Sequence, residues 1–220
     1  MSSQEKSVVL LSGGMDSAVA AYLLKQQEVE LSALTFTADF YKTSKIETHC
    51  ARKIASILGI RHTVIDFSCL SAIIDTDYFS KIDSYATAYI KRRDIAVPFG
   101  AELMLMSAIM YASYNNIRKI VWAIQFDDIG KKSADSIEKY ISLFNDIIKI
   151  KRLNRCKIET PFLRMKKAEV AAVGFKLNVP FDITFSCLVE AEKLIHCGVC
   201  EQCLQRIPAL AEARKNLSIK

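Results

Sequence analysis

Short apolar runs alternate with longer segments of helical periodicity along most of this chain. Strands are predicted at residues 7–11, 31–36, 62–66, 119–124 and 157–159, and helices at 15–27, 44–58, 98–115, 134–151 and 165–173. Glycines at positions 59 and 174 follow two of the helical segments and predict their ends. Regular alternation of this kind predicts an α/β fold of the Rossmann type, with a doubly wound parallel sheet covered by helices on both faces.

The composition narrows the class of protein further. Apolar residues make up 51% of the 220 residues, which is enough for a sizeable core. No run of about 18 apolar residues predicts a membrane span. The first residues also lack the pattern of a signal peptide, so we expect a cytoplasmic protein without membrane partners. The formal net charge of +6 suits an anionic ligand such as ATP at least as well as nucleic acid.

A glycine-rich loop joins the first predicted strand to the first predicted helix. Its residues are Leu11, Ser12, Gly13, Gly14, Met15, Asp16 and Ser17. Two glycines let the backbone approach a ligand without a Cβ clash, and the amides at a helix N-terminus attract phosphate. The loop also follows the carboxyl end of a strand, where the ligands of such sheets bind. All of its residues are therefore candidates for binding ATP.

Two polar side chains of this loop are also candidate catalytic residues. One is Ser17, which adds a hydroxyl donor. The other is Asp16, whose carboxylate would be repelled by a triphosphate unless Mg²⁺ bridges the two. We therefore expect Asp16 to help organise the metal ion or the loop. The alternative is a tight turn between strand and helix, in which Asp16 and Ser17 are capping residues.

Four of the seven cysteines lie close together near the C-terminus. They are Cys187, Cys197, Cys200 and Cys203. This spacing is typical of zinc, and a closed four-sulfur site leaves no position for substrate, so the predicted zinc is structural. A redox pair or an iron–sulfur cluster is the alternative. We therefore predict an ATP-binding domain over residues 1–180 and a zinc-binding lobe with a terminal helix over 181–220.

Three motifs resemble those of the 7-cyano-7-deazaguanine synthases, a family of N-type ATP pyrophosphatases, in their order and spacing. The first is the Ser-Gly-Gly-Met-Asp-Ser string at 12–17. The second is the segment 161–169, which ends in Lys-Ala-Glu and resembles the family's Pro-Leu…Lys-Ala-Glu segment. The third begins with Val-Pro…Thr-Phe-Ser-Cys at 179–187 and continues through the cysteines to Arg206, as the family's zinc run does.

The resemblance implies a fold like that of the adenine nucleotide alpha hydrolases and a ligase reaction. Members of the family cleave ATP between its α- and β-phosphates, adenylate a deazaguanine carboxylate, and use ammonia to form an amide and then a nitrile. ATP, Mg²⁺ and Zn²⁺ are the implied cofactors, and a homodimer is the implied assembly. The resemblance also makes Lys167 a candidate catalytic residue that faces phosphate, with a solvated lysine at a helix start as the alternative.

The middle of the chain departs from the family pattern. The family's Val-Pro-Gly-Arg-Asn segment corresponds to Val-Pro-Phe-Gly-Ala at 97–101, and its Tyr-Pro-Asp-Cys-Arg segment to Ser-Ala-Asp-Ser-Ile at 133–137. Losing the forked arginine donors removes bidentate recognition, so we expect a diverged substrate pocket. Candidate substrate-binding residues are Asp127, Asp128, Asp135 and Arg93. The alternatives are that Asp127 and Asp128 cap the next segment and that Arg93 lies on a solvated surface.

The leading interpretation is a ligase that joins ammonia to 7-carboxy-7-deazaguanine or a related acid and releases AMP and pyrophosphate. One alternative is a diverged component of a bacterial antiviral defence system that acts on another base, a peptide or a partner protein. A second is a scaffold that binds ATP without turnover. A third is tRNA thiolation, with Cys69 or Cys156 as the sulfur carrier, although both, like Cys50, are interpreted as ordinary buried or half-buried thiols. Nucleic acid is therefore not an expected partner.

Overall fold

The computed structural model describes residues 5–27, 29–72, 100–129, 134–152, 156–189 and 193–218. The strands are β1 (Lys6–Leu10), β2 (Glu30–Thr37), β3 (Arg61–Asp66), β4 (Lys119–Val121) and β5 (Lys157–Glu159). Each strand predicted from the sequence is present. β4 ends at Val121, three residues earlier than predicted, and leaves an extended connection that leads into the next helix.

The helices are α1 (Met15–Gln26), α2 (Ser44–Leu58), α3 (Ala101–Tyr114), α4 (Phe126–Ile129), α5 (Ala134–Ile150), α6 (Lys167–Lys176) and α7 (Glu201–Ser218). Short 3-10 turns lie at Ser68–Ala72 and Phe181–Ile183. Pro98, where the third long helix is predicted to begin, lies outside the described residues. A helix long and apolar enough to cross a membrane is absent from the described part of the chain.

All five strands are parallel and lie in the order β3-β2-β1-β4-β5, so the predicted doubly wound sheet is confirmed. β2 and β3 follow on one side of β1, and β4 and β5 lie on its other side. Val9 of β1 accordingly pairs with Ala33 of β2 on one side and with Val121 of β4 on the other. The order of the strands therefore reverses between β1 and β4, and ligands of open α/β sheets bind at such a point.

Helices cover both faces of the sheet. Val9 of β1 faces a core shared with α1, α2 and α6, whereas Val8 and Leu10 face a second core shared with α3 and α5. All three of these side chains are buried. Burial on both faces explains why β1 is a continuous apolar run and not an alternating one.

The predicted end of α6 at Gly174 is wrong. The helix continues to Lys176, and Gly174 lies inside it. A Cβ added at Gly174 would overlap the ring of Phe181 and a methyl group of Val19. The glycine therefore permits a close approach between α6, α1 and the turn at Phe181–Ile183 and does not stop the helix.

Replacing Gly174 by alanine is expected to lower the free energy of unfolding by about 1–3 kcal/mol, since the new methyl group overpacks this contact. Urea unfolding monitored by circular dichroism measures the change. Lys176→Ala, at an exposed position of the same helix, is the control and should change stability by no more than about 0.5 kcal/mol. Equal stability of the Gly174→Ala protein and the wild type would show that the contact is not tight.

Candidate ATP site and cysteine cluster

The glycine loop leaves β1 at the point where the strand order reverses and enters α1 directly. Gly13 has a φ of +86°, in the left-handed region that favours glycine. A Cβ added there would overlap the carbonyl oxygen of Glu47 in α2. The backbone of α2 therefore packs directly against the loop, and a side chain at position 13 would force the two apart.

The hydroxyl groups of Ser12 and Ser17 fasten the loop onto itself. Their Oγ atoms lie 3.0 Å apart, and the Ser12 amide donates to Ser17 Oγ at 3.2 Å. Ser17 Oγ also lies 3.1 Å from the carbonyl oxygen of Gly14. Gly14 is the N-cap of α1, so no side-chain hydrogen bond caps this helix. Asp16 and Ser17 lie in the first turn of α1 and not at its N-cap.

Lys167 brings a buried ammonium group to this loop. The residue is 2% exposed, and its Nζ lies 3.7 Å from Asp16 Oδ2. Nζ also donates to Gln202 Oε1 at 3.0 Å and to Gln205 Oε1 at 3.3 Å. The alternative of a solvated lysine is therefore wrong, although the residue does begin a helix. A buried ammonium group is costly unless it is paired, and here a carboxylate and two amide oxygens surround it.

Two carboxylates satisfy the first amides of α6 and so fix where Lys167 lies. The Lys166 amide donates to Glu169 Oε2 at 2.7 Å, and the Lys167 amide donates to Asp127 Oδ2 at 2.7 Å. The first contact gives a structural reason for the glutamate of the Lys-Ala-Glu segment. The second contact makes the exposed Asp127 a cap for α6, whose first residue, Lys167, lies against the glycine loop. A role for Asp127 in binding substrate stays a prediction.

Asp135, another candidate substrate residue, pairs with a side chain outside the loop. Asp135 has a side chain that is 85% exposed and pairs with Arg164 at 2.9 Å. The same guanidinium group also pairs with Glu138 at 2.8 Å. Asp135 is thus part of an ion-pair cluster on the surface. The side chain of Asp128 and the whole of Arg93 lie outside the described residues.

The four C-terminal cysteines converge on one point. Their sulfur atoms all lie within 4.8 Å of one another. The Cys197–Cys203 and Cys187–Cys200 sulfur pairs are 3.9 and 3.8 Å apart. A tetrahedral zinc ion with Zn–S bonds of about 2.3 Å needs sulfur atoms about 3.8 Å apart, so the donor set fits such an ion. Backbone amides lower the pKa of the Cys197 thiol to about 6, which favours the thiolate that a metal ion binds, whereas burial raises the pKa of the Cys187 and Cys203 thiols.

The segment that leads into Cys187 holds the glycine loop in place. The Phe185 amide donates to the carbonyl oxygen of Gly13 at 2.9 Å. Arg206, which is 4% exposed, donates to Ser186 Oγ at 3.1 Å and to Thr184 Oγ1 at 2.7 Å. The lobe thus reaches the candidate ATP loop through its backbone, and the arginine of the third motif stiffens that connection. A domain boundary at residue 180 stays a prediction.

Three residues near the loop were not candidate site residues in the sequence analysis. Glu47 accepts a hydrogen bond from Thr43 Oγ1 at 2.7 Å, yet burial raises the pKa of its carboxyl group to about 7. The other two are Gln202 and Gln205, the partners of Lys167. They lie three residues apart on α7, a spacing that places two side chains on one face of a helix. That spacing was their only detectable signal.

Two of the three remaining cysteines lack the surroundings of a sulfur carrier. Cys50 and Cys156 are buried as predicted, and burial raises the pKa of both thiols, that of Cys50 to about 11. Raised pKa values disfavour the reactive thiolate. Cys69 is exposed on the 3-10 turn after β3, so its predicted burial is wrong.

A doubly wound parallel sheet, a glycine loop at its reversal point and a lysine buried against the loop define an α/β enzyme of the nucleotide-binding class. The family model described as "Queuosine biosynthesis protein QueC" matches residues 6–214. The chain therefore belongs to the QueC family and is an ATP-dependent enzyme of that family.

Relatives of known name span the chain nearly end to end. The 7-cyano-7-deazaguanine synthase of Methanothermobacter thermautotrophicus is 30% identical over 91% of this chain and 92% of its own length. The synthase of Methanospirillum hungatei is 32% identical over 94% and 95%. The synthase of Clostridium kluyveri is 31% identical over 95% and 94%. The similarity is therefore to whole proteins and not to one shared domain.

Two solved structures agree with the fold. The NMN synthetase of Francisella tularensis matches with a TM-score of 0.52 and 19% identity, over 99% of this chain and 88% of that protein. The NH3-dependent NAD synthetase of Campylobacter jejuni matches with a TM-score of 0.50 and 19% identity, over 83% and 68%. At this identity the likeness concerns the fold alone, and it confirms the fold class predicted from the sequence.

Proposed function

We propose that this enzyme uses ATP to adenylate a carboxylic acid, 7-carboxy-7-deazaguanine or a related acid, and that ammonia then displaces AMP. In the first step a carboxylate oxygen bonds to the α-phosphorus, and the bond from that phosphorus to the bridging oxygen breaks to release pyrophosphate. In the second step ammonia bonds to the acyl carbon, AMP leaves with the former carboxylate oxygen, and a proton is lost. With a second ATP, the amide oxygen bonds to the α-phosphorus and pyrophosphate is released. AMP then leaves with that oxygen as the carbon–nitrogen triple bond forms and two protons are lost from the nitrogen.

The observation that carries this proposal is the buried ammonium group of Lys167, 3.7 Å from Asp16 in the first turn of α1. The departing pyrophosphate gains negative charge in the transition state, and a preorganised cation with nearby backbone amides stabilises such charge. The Gly13–Gly14 backbone would hold the phosphates. Asp16 would hold the Mg²⁺ that accompanies ATP, which neutralises phosphate charge. Membership of the QueC family supports the same chemistry.

The cysteine cluster is proposed to hold zinc in a structural role. Zinc bound by four thiolates supplies folding energy and has no open position for a substrate. A stable cysteine cluster would also support the glycine loop, because the hydrogen bond from Phe185 to Gly13 fixes one side of that loop. A homodimer, which the family resemblance implies, stays a prediction.

A second candidate is the same chemistry on a different acceptor, in a bacterial antiviral defence system for example. Two observations favour it over an unchanged substrate. The chain has Val-Pro-Phe-Gly-Ala and Ser-Ala-Asp-Ser-Ile where the family has its two arginine-containing segments. The aspartate kept from the second segment, Asp135, pairs with Arg164 on the surface. A scaffold without turnover is less well supported, because binding alone does not require a lysine buried against Asp16.

The test is acid-dependent formation of AMP and pyrophosphate. Zinc-loaded protein is incubated with Mg-ATP, ammonium and one of three acids: 7-carboxy-7-deazaguanine, a peptide with a free C-terminus, or a purine carboxylate. We expect one AMP for each amide and two for each nitrile, measured by liquid chromatography and mass spectrometry. Turnover with an acid other than the deazaguanine supports the second candidate. Tight Mg-ATP binding without AMP formation from any acid would contradict both candidates and support the scaffold.

A further inference from the structure

Helix α7, which contains Cys203 of the cluster, also contacts Lys167 through two glutamine side chains. α7 begins directly after Cys200 and includes Cys203, and Gln202 lies between these two residues. The side chains of Gln202 and Gln205 both present an oxygen to the Lys167 ammonium group, at 3.0 and 3.3 Å. The sequence motifs assign no role to either glutamine.

The orientation of both amide groups follows from their partners. A lysine ammonium group only donates, so the atom that faces it must be the oxygen of each amide. Gln205 is fixed a second time, because its Nε2 lies 3.5 Å from the carbonyl oxygen of Asp127 and 3.5 Å from Glu201 Oε1. Both side chains are only half-buried, whereas the ammonium group between them is buried.

The carboxylate and the two amide oxygens act differently on the Lys167 ammonium group. Asp16, at 3.7 Å, pairs with its charge but lies beyond the usual length of a direct hydrogen bond. The two amide oxygens are within or near that length and carry no net charge. They therefore orient a long, flexible side chain without neutralising the charge that a phosphate group needs.

We propose that Gln202 and Gln205 are positioning residues, which hold the Lys167 ammonium group at the glycine loop so that it meets the charge of the pyrophosphate as this group departs. The inference rests on the proposed function and deepens it. No proton is transferred: the electron pair of the breaking phosphorus–oxygen bond stays on pyrophosphate, and Lys167 faces that charge. Since Gln202 lies between two cysteines of the cluster, the metal-binding lobe is thereby coupled to the chemistry of ATP.

The test uses Gln202→Met and Gln205→Met, singly and combined, because methionine keeps the length of the side chain and removes the acceptor. We expect the combined variant to lose at least about tenfold in the rate of AMP formation, because one lost hydrogen bond to a charged group already has that effect and two are lost here. The KM for ATP should change much less, because the contact acts mainly in the transition state. Gln202→Glu, which keeps an acceptor, should retain most of the rate that Gln202→Met loses.

Two measurements separate positioning from stability. Metal content of the variants should equal that of the wild type and of Lys215→Met, an exposed control on the same helix, and their melting temperatures should stay well above the assay temperature. A rate that falls together with metal content would overturn the proposal, because the effect would then be structural. An unchanged rate in the combined variant would overturn it as well.

A third measurement does not depend on the acid substrate. Calorimetry with inorganic pyrophosphate should show binding about tenfold weaker in the combined variant, while the affinity for AMP is unchanged. If the wild type forms no AMP with any acid, the proposed function fails, and this titration still decides the inference. Equal affinity of the wild type and the combined variant for pyrophosphate would then contradict it.

Discussion

Replacing Asp16 by alanine is expected to lower the rate of AMP formation by at least about 100-fold, the scale of losing a preorganised electrostatic contact in an active site. Asp16 Oδ2 lies 3.7 Å from the Lys167 ammonium group, so the change removes both the proposed ligand of Mg²⁺ and the partner of a buried cation. Chromatographic measurement of AMP at saturating Mg-ATP reports the effect. The amount of metal bound by the cysteine cluster should be unchanged, because Asp16 is not one of its candidate ligands.

The controls for this experiment are other changes of a carboxylate. Asp16→Asn keeps the shape of the side chain and removes its charge, so it should be nearly as inactive but fold as the wild type does. Asp182→Ala, at an exposed position of the turn before the cysteine cluster, should keep full activity. Full activity in Asp16→Ala protein would contradict the role given to the loop.

The fold was predictable from the sequence because its signals are local. A strand buried on both faces is a continuous apolar run, and β1 shows this in Val8, Val9 and Leu10. The loop was equally visible, because the whole Ser-Gly-Gly-Met-Asp-Ser string follows the first strand of an alternating α/β pattern. The packing of α2 against Gly13 explains one of these glycines but comes from a helix about thirty residues away.

The features that the sequence did not predict depend on distant neighbours. Gly174 resembles a helix stop until Phe181 and Val19 are seen against it. The family resemblance singled out Lys167, but it did not predict that Gln202 and Gln205 reach its ammonium group from α7. Pairs so far apart in the chain leave no local pattern, and only the spacing of the two glutamines hints at a shared face.

The second large effect is expected from the cysteine cluster. Cys200→Ser should lose bound metal and lower the melting temperature by about 10 °C, since a structural metal site contributes directly to folding and a chain of this size shifts about 2–4 °C per kcal/mol. Elemental analysis and a thermal melt measure the two changes. The same analysis on the wild type detects zinc, iron or neither, and so decides between a zinc site, an iron–sulfur cluster and a redox pair.

A cysteine outside the cluster provides the matched control. Cys69→Ser changes an exposed thiol on the turn after β3 and should leave metal content and melting temperature as they are. An unaffected melting curve in Cys200→Ser protein would refute a structural metal.

Loss of the metal should also reach the ATP loop, because the cluster and the loop share one short segment. Phe185 donates its amide to Gly13 two residues before Cys187, and its side chain packs in a small core with Cys187 and Cys203. Releasing the cysteines frees that segment, so Mg-ATP should bind more weakly to metal-free protein at a temperature where the sheet is still folded. Equal affinity of metal-loaded and metal-free protein would mean that the loop holds its shape without the segment that leads into the cysteine cluster.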